Sequence, residues 1–223
     1  AGRHNVSMAM TMDELGTQIV AVAQAIDKAG FCPSKSGNVS ARTQAGFLIT
    51  PSGLPYAETT PGDLIALSLD GAVLSGAGKP SSEWPFHAAI YRARPEAQAI
   101  VHTHSPRATA LSATRRGIPA FHYMIALCGG ADVRCAEYAT FGTPELAENA
   151  VRALEGRKAV LLANHGVIAF GASLAGAHQI VAEVENLAGQ YLDILASGLE
   201  PVILDDEEMA RVSAKFAGYG KVG

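Results

Sequence analysis

Apolar residues recur at helical spacing from the eleventh position onward. Leu15, Ile19, Val22, Ala23 and Ile26 fall on one helix face, and Thr11 with Glu14 supplies an N-terminal capping box. Gly30 ends this first helix. Two hairpin-like units follow, "NVSAR" to "GFLIT" and "LIALSLD" to "AVL", the second turning across Asp70-Gly71. Helical spacing resumes from about Ser82 to Ala93, and Pro85, which fits only a first turn, fixes that start close to Ser82. "AIVHTH" reads as a strand, "PRATALSATRRG" as a short helix and "PELAENAVRALEG" as a helix closed by Gly156. "KAVLLANHG" reads as a buried strand running into a loop. A long helix from Ser173 to about Ala196 and a short one from Asp206 to Phe216 complete the pattern, while residues 1–10 read as a poorly ordered leader.

Helices and strands are interspersed, but the early hairpins require antiparallel pairing, and the crossovers of a doubly wound parallel sheet are missing. The expected fold class is α/β, a single three-layered α/β/α domain over residues 11–223 with a central, largely antiparallel sheet. A length of 223 residues suits one domain with a substantial core. The 48% hydrophobic content beside 17% charged residues points to a globular protein with a somewhat apolar surface, a weak sign of partner subunits. A formal charge of -4 supplies no basic footprint for nucleic acid. No apolar run approaches the ~20 residues of a membrane helix, and the start lacks a charged-then-apolar signal pattern. Cys32, Cys128 and Cys135 are odd in number and lack metal-finger spacing, so free thiols in a reducing cytoplasm are expected.

Chemistry enters with "AIVHTHSPRA". In an extended strand His102 and His104 point to the same face, about 6.7 Å apart along the chain. That spacing alone leaves a metal-ligand pair, a solvated face and chance all open. In "LLANHGVIAF", His165 follows a strand and precedes Gly166, where the backbone can turn tightly. A lone histidine there is an ordinary hydrogen-bonded residue; joined to the first pair across neighbouring strand ends, it would complete a three-histidine site with one position open. In "KPSSEWPFH", Glu83 sits at a helix start behind Ser81 and Ser82. It is either an ordinary first-turn acid with a serine cap, or a ligand or general base beside an anion site. "SGNVSAR" and "TPSGLPY" are turns on their own, but together with Ser81 and Ser82 they could cradle a phosphate without any lysine.

Seven segments in this order, "SGNVSAR", "LITPSGLPY", "KPSSEWPFH", "VHTHS", "IPAFHYMIALCGG", "YATFGTPEL" and "LLANHGVIA", resemble the class II aldolase/adducin family. The resemblance covers nearly the whole chain from about Met12. It implies Zn2+ held by His102, His104 and His165, with Glu83 as a ligand when substrate is absent and as proton shuttle during the reaction. It implies a phosphate cleft at Gly37, Asn38, Ser52, Gly53, Ser81 and Ser82, and a four-fold homotetramer with active sites between subunits. Tyr123 in "FHYMI" corresponds to a tyrosine that reaches a neighbour's site and protonates the aldehyde oxygen. Phe141 lines the pocket, and Tyr219 in the tail is a further candidate. Two departures are visible: serine rather than threonine at position 52, and Asn164 where a second histidine often precedes the ligand.

The activity implied is cleavage of a ketose 1-phosphate, such as L-fuculose 1-phosphate, to dihydroxyacetone phosphate and a short aldehyde such as L-lactaldehyde. Relatives of this fold also cleave deoxypentulose 1-phosphates, epimerise a pentulose phosphate, dehydrate a methylthio-sugar phosphate or decarboxylate a sugar-acid phosphate. Their metal and phosphate motifs are alike, so the "IPAFHYMIALCGG" and "YATFGT" stretches carry the preference for the aldolase branch. An adducin-like scaffold would require a degraded metal site, and here Glu83 and the three histidines are present.

Overall fold

A computed structural model describes residues 11–218. The first helix, α1 (Met12–Lys28), begins where the capping box requires. Thr11 accepts from the Glu14 amide, and the Glu14 carboxylate accepts from the Thr11 amide at 2.8 Å. The strands are β1 (Asn38–Thr43), β2 (Gly46–Ile49), β3 (Ile65–Leu67), β4 (Val73–Ser75), β5 (Ala99–Thr103), β6 (Ile118–Pro119), β7 (Asp132–Ala136), β8 (Ala159–Leu162) and β9 (Gly166–Gly171). The remaining helices are α2 (Trp84–Ala93), α3 (Pro106–Ser112), α4 (Pro144–Ala153), α5 (Leu174–Ser197) and α6 (Asp206–Gly218).

The strands form one nine-stranded sheet in the order β4-β3-β2-β1-β5-β9-β8-β7-β6. Every neighbouring pair is antiparallel except β7 and β8, so the sheet is mixed but largely antiparallel. Both predicted hairpins form. Strand β9 and the short β6 and β7 are additions to the sequence reading. Apolar residues run almost unbroken from Ala159 to Phe170, interrupted only by the turn at Asn164–His165. Strands covered on both faces lose the alternation that marks a half-exposed strand.

Side-chain alternation sorts the apolar residues into two cores. Val39, Val101, Leu161 and Val167 join the core beneath α1, α3, α5 and α6. Phe47, Ile100, Val160, Ile168 and Phe170 join the other, beneath α2 and α4. Helix, sheet and helix thus make three layers. The alternation also dictates where the polar residues of the central strands go. Asn38 and Ser40 on β1, and His102 on β5, point away from Val39 and Val101 and face α2. Asn38 is paired directly opposite His102. Among the described residues no helix is long and apolar enough to cross a membrane, and all three cysteines are free thiols.

Candidate active site

Two close backbone approaches bring the site residues onto the carboxyl end of β5. A side chain at Gly37 would place its Cβ 2.7 Å from the His102 carbonyl oxygen, and one at Gly166 would run into the Thr103 carbonyl. The chain therefore needs glycine at both places to press β1 and β9 against β5. Gly166 serves this contact and not a left-handed turn, as its sequence context suggested. The left-handed residue of that turn is Asn164, at φ 55, a residue type that tolerates this conformation. The turn is pinned by Asn164 N–H donating to Ser112 O and His165 N–H donating to Leu162 O, at 3.2 and 3.0 Å.

His102, at the end of β5, has no exposed surface. His104 lies just beyond the strand, its amide held by the Phe31 carbonyl at 3.0 Å. The rings of His102, His104 and His165 form a near-equilateral triangle with centroids 4.8 to 5.0 Å apart and planes 74° to 90° to one another. Glu83 completes the group. It occupies the N-cap position of α2 but makes no side-chain cap; the helix starts at Trp84, slightly later than expected, and Ser81 Oγ accepts the Glu83 amide instead. Its carboxylate is turned inward, with Oε2 3.1 Å from His102 Nε2 and Oε1 3.0 Å from His165 Nε2.

The donor atoms of Glu83, His102, His104 and His165 all lie within 4.8 Å of one another. Their chemistry fits a bound cation. The Val167 carbonyl can only accept, so His102 Nδ1 must donate to it, at 2.9 Å. A neutral His102 then presents its Nε2 lone pair to a carboxylate oxygen and, at 3.1 Å, to His104 Nε2. Lone pairs and a carboxylate so arranged repel unless a proton or a metal ion lies among them. His104 is a poor proton acceptor: burial, then the neighbouring His102 and His165, push it down to about 3. Burial alone would raise the Glu83 carboxyl. The electrostatic and hydrogen-bonding influence of the facing His102 and His165 rings outweighs that and holds it well below the usual carboxylate range. An ionised carboxylate and three imidazoles are the ligand types expected for zinc and similar divalent ions.

A cleft of about 580 Å³ opens over this group. Gly37, Asn38, Ser52, Gly53, Ser81, Ser82 and Phe141 line it together with Glu83, His104 and His165. The loops that carry the small residues are tied together, Ser52 N–H donating to Lys79 O at 2.9 Å and Ser81 N–H to Thr50 O at 3.1 Å. Seven further residues line the cleft that the sequence reading did not assign to it: Lys35, Ser36, Pro51, Thr109, Tyr138, Ala139 and Asn164. Of these, Asn164 was visible only as a departure from the family pattern. Lys35 sets a lysine at the edge of the loops that were expected to cradle an anion without one. Ser34 and Lys35 both have positive φ, 57 and 62, and Lys35 Nζ reaches the Gly53 carbonyl at 3.4 Å. Successive left-handed residues carry no simple sequence signature.

Tyr123 does not line this cleft. It begins a 3-10 turn (Tyr123–Cys128), is 51% exposed, and borders a separate groove with Leu204, Val212 and Phe216. The alternative of a Tyr123 buried within its own subunit does not hold. Tyr219 lies outside the described residues.

The geometry agrees with what the chain is similar to. The family defined as "Class II Aldolase and Adducin N-terminal domain" matches residues 17–192. The chain is 48% identical over 202 residues to a 5-methylthioribulose-1-phosphate/5-deoxyribulose-1-phosphate aldolase of Rhodospirillum rubrum, covering 91% of this chain and 90% of that one. It is 46% identical over 212 residues to the L-fuculose phosphate aldolase of Escherichia coli strain K12, covering 95% and 98%. A solved L-fuculose 1-phosphate aldolase superposes with a TM-score of 0.89 at 40% identity, over 96% of this chain and all of the other. The chain belongs to the class II aldolase and adducin family. Within it, these near full-length matches put it among the class II aldolases, which are metal-dependent aldehyde-lyases.

Proposed function

We propose that this enzyme cleaves a ketose 1-phosphate to dihydroxyacetone phosphate and a short aldehyde, with L-fuculose 1-phosphate or a 5-deoxypentulose 1-phosphate as substrate. The observation that carries the reading is the convergence of Glu83, His102, His104 and His165 at the floor of a cleft whose wall is lined with small polar residues. A Zn2+ ion held by these four residues would supply positive charge next to the carbonyl and hydroxyl oxygens as negative charge develops on them. With Glu83 withdrawn, three neutral histidines would leave that charge undiminished.

The chain's own groups divide the remaining tasks. Gly37, Asn38, Ser52, Gly53, Ser81 and Ser82 hold the phosphate through backbone N–H groups, hydroxyls and an amide. Fixing this remote end orients the reacting bond, an effect that reaches ~7–11 kcal/mol in well-oriented systems. As the carbon–carbon bond breaks, its electron pair passes to the dihydroxyacetone phosphate half as an enediolate. In the condensing direction the ionised Glu83, released from its resting contacts, takes the proton from that carbon, and the Tyr123 hydroxyl of a neighbouring copy gives its proton to the aldehyde oxygen. Cleavage is the reverse: the Tyr123 phenolate takes the hydroxyl proton, and protonated Glu83 returns its proton to the carbon. Because Tyr123 lies outside its own chain's cleft, an assembly with active sites between subunits, a homotetramer, is part of this reading. Exposed Leu199, Val202 and Ile203 are consistent with such an interface.

Sheet order separates the two ends of the substrate. The phosphate cradle lies on the β1–β2 side of β5, while Tyr138 and Asn164 lie on the β7–β9 side, where the aldehyde half would sit. One methylene there changes discrimination by only ~1–3 kcal/mol, so closely related ketose 1-phosphates compete. The test is dihydroxyacetone phosphate release from a panel of ketose 1-phosphates by the zinc-loaded protein. Release from at least one L-fuculose- or deoxypentulose-type substrate is expected; release from none would overturn the proposal.

Lys35 is expected to add charge at the phosphate end. An exposed ion pair contributes ~0.2–1 kcal/mol, so Lys35→Gln should raise KM up to about five-fold, leave kcat within a factor of two, and flatten the dependence of KM on salt. An unchanged KM at low ionic strength would place Lys35 outside the phosphate site.

A further inference from the structure

We propose that His87 is a positioning residue for Glu83, acting through Asn38, whose amide it locks with the N–H side toward the Glu83 carboxylate. His87 lies on α2, one turn beyond Glu83, with no exposed surface. It is outside the metal ligands and outside the cleft, yet a continuous chain of hydrogen bonds joins it to the site.

The direction of every bond in that chain follows from one fact. A carboxylate only accepts, so Asn38 must present its Nδ2 to Glu83 Oε2, at 2.9 Å. The other end of the same amide, Oδ1, then faces His87 Nε2, which must carry the proton. Burial, with a smaller push from His102, drives His87 down to about 3, so the ring is neutral. Its Nδ1 is therefore an acceptor, and Ser40 Oγ donates to it at 2.7 Å. With its hydrogen so used, Ser40 accepts from the Tyr91 hydroxyl at 2.8 Å. Tyr91 is fully buried, with the Arg42 guanidinium over its ring at 4.8 Å. Every polar atom of this line has a partner, and reversing one bond breaks the next.

Without a donor at His87, the Asn38 amide is free to rotate, and its oxygen can turn toward the Glu83 carboxylate. The carboxylate would then lose an N–H bond and face a repelling lone pair. The same rotation would remove the second Nδ2 hydrogen from the cleft that Asn38 also lines. Ser40 and Tyr91 set the histidine tautomer; the histidine sets the amide; the amide holds the carboxylate. Outer groups that orient ligands in this way are typically worth ten- to one hundred-fold in activity or metal affinity.

Two variants and one spectrum test the proposal. His87→Gln keeps an N–H where Nε2 stood, whereas His87→Met fills a similar volume without a donor. Provided the reading of the site as an aldolase centre holds, His87→Met should lose about ten- to one hundred-fold in kcat with KM changed less, and His87→Gln should recover most of that loss. Zinc affinity of the two variants should differ in the same order. If thermal unfolding falls equally in both and their activities fall together, the role is packing alone and the proposal fails. Nitrogen-15 NMR of the metal-free wild-type protein is independent of activity and of either variant's folding. It should show His87 as the neutral Nε2–H tautomer at pH 7, and an Nδ1–H or doubly protonated ring would overturn the proposal. An enzyme inactive on every ketose phosphate but showing the expected tautomer would instead remove the aldolase reading while leaving the hydrogen-bond chain in place.

Discussion

Replacing Glu83 with glutamine is expected to lower turnover by about two to four orders of magnitude, the usual worth of a positioned acid or base. The substitution changes little in size but removes both the negative charge that faces His102 and His165 and the ability to take and return a proton. The proposed phosphate cradle is built from other residues, so the affinity for dihydroxyacetone phosphate should stay within a few-fold of wild type. Glu83 and the cradle share the amide of Asn38, whose Nδ2 donates to Oε2, and that shared bond sets the small residual change. Steady-state kinetics with a parallel binding measurement checks both parts. Turnover near the wild-type value would remove the proton-transfer role from Glu83.

Mixed oligomers are expected to recover activity that neither parent has. Tyr123→Phe removes a hydroxyl that lies outside its own chain's cleft, and Glu83→Gln disables the centre within the cleft. Each homo-oligomer should retain at most about one per cent of wild-type turnover, by the same ~10²-fold worth of a positioned acid or base. If each working site combines Glu83 of one chain with Tyr123 of its neighbour, subunit exchange creates some sites with both groups intact. Activity should then rise well above either parent as exchange proceeds. Exchange demonstrated by mass, with no gain in activity, would put both groups in one chain or take Tyr123 out of the reaction.

The part of this site that was legible in the sequence is the part set by local pattern. His102 and His104 share a face because strand side chains repeat every two residues. The Ser81–Glu83 stretch is placed by the helix start that Pro85 enforces. His165 was the harder case: strand β9, which follows it, lay hidden in an apolar run without alternation, so its approach to β5 needed the fold to be seen. What makes that approach possible, the missing side chain at Gly166 against the Thr103 carbonyl, is a contact between residues far apart in sequence. Lys35 was missed because its entry into the cleft depends on two successive left-handed residues. His87 stood in plain view within "SSEWPFH", but its partners Asn38 and Ser40 come from a strand more than forty residues earlier. Strand β7 was concealed for another reason: "DVRCA" is short, and only Val133 and Ala136 of it are buried.

Metal binding by the wild-type protein, set beside His165→Ala, tests the account most directly. His165 adds the third imidazole from a turn that the fold alone brings to β5, and its removal leaves the His102–His104 pair and Glu83 in place. After loading with zinc and exhaustive dialysis, wild type is expected to hold about one ion per chain and to lose dihydroxyacetone phosphate release when a strong chelator is added. His165→Ala should hold far less under the same conditions, since a lost ligand leaves the ion an incomplete tetrahedral set. A loaded wild-type protein that retains no ion, or one whose release of dihydroxyacetone phosphate is unaffected by chelation, would contradict the account.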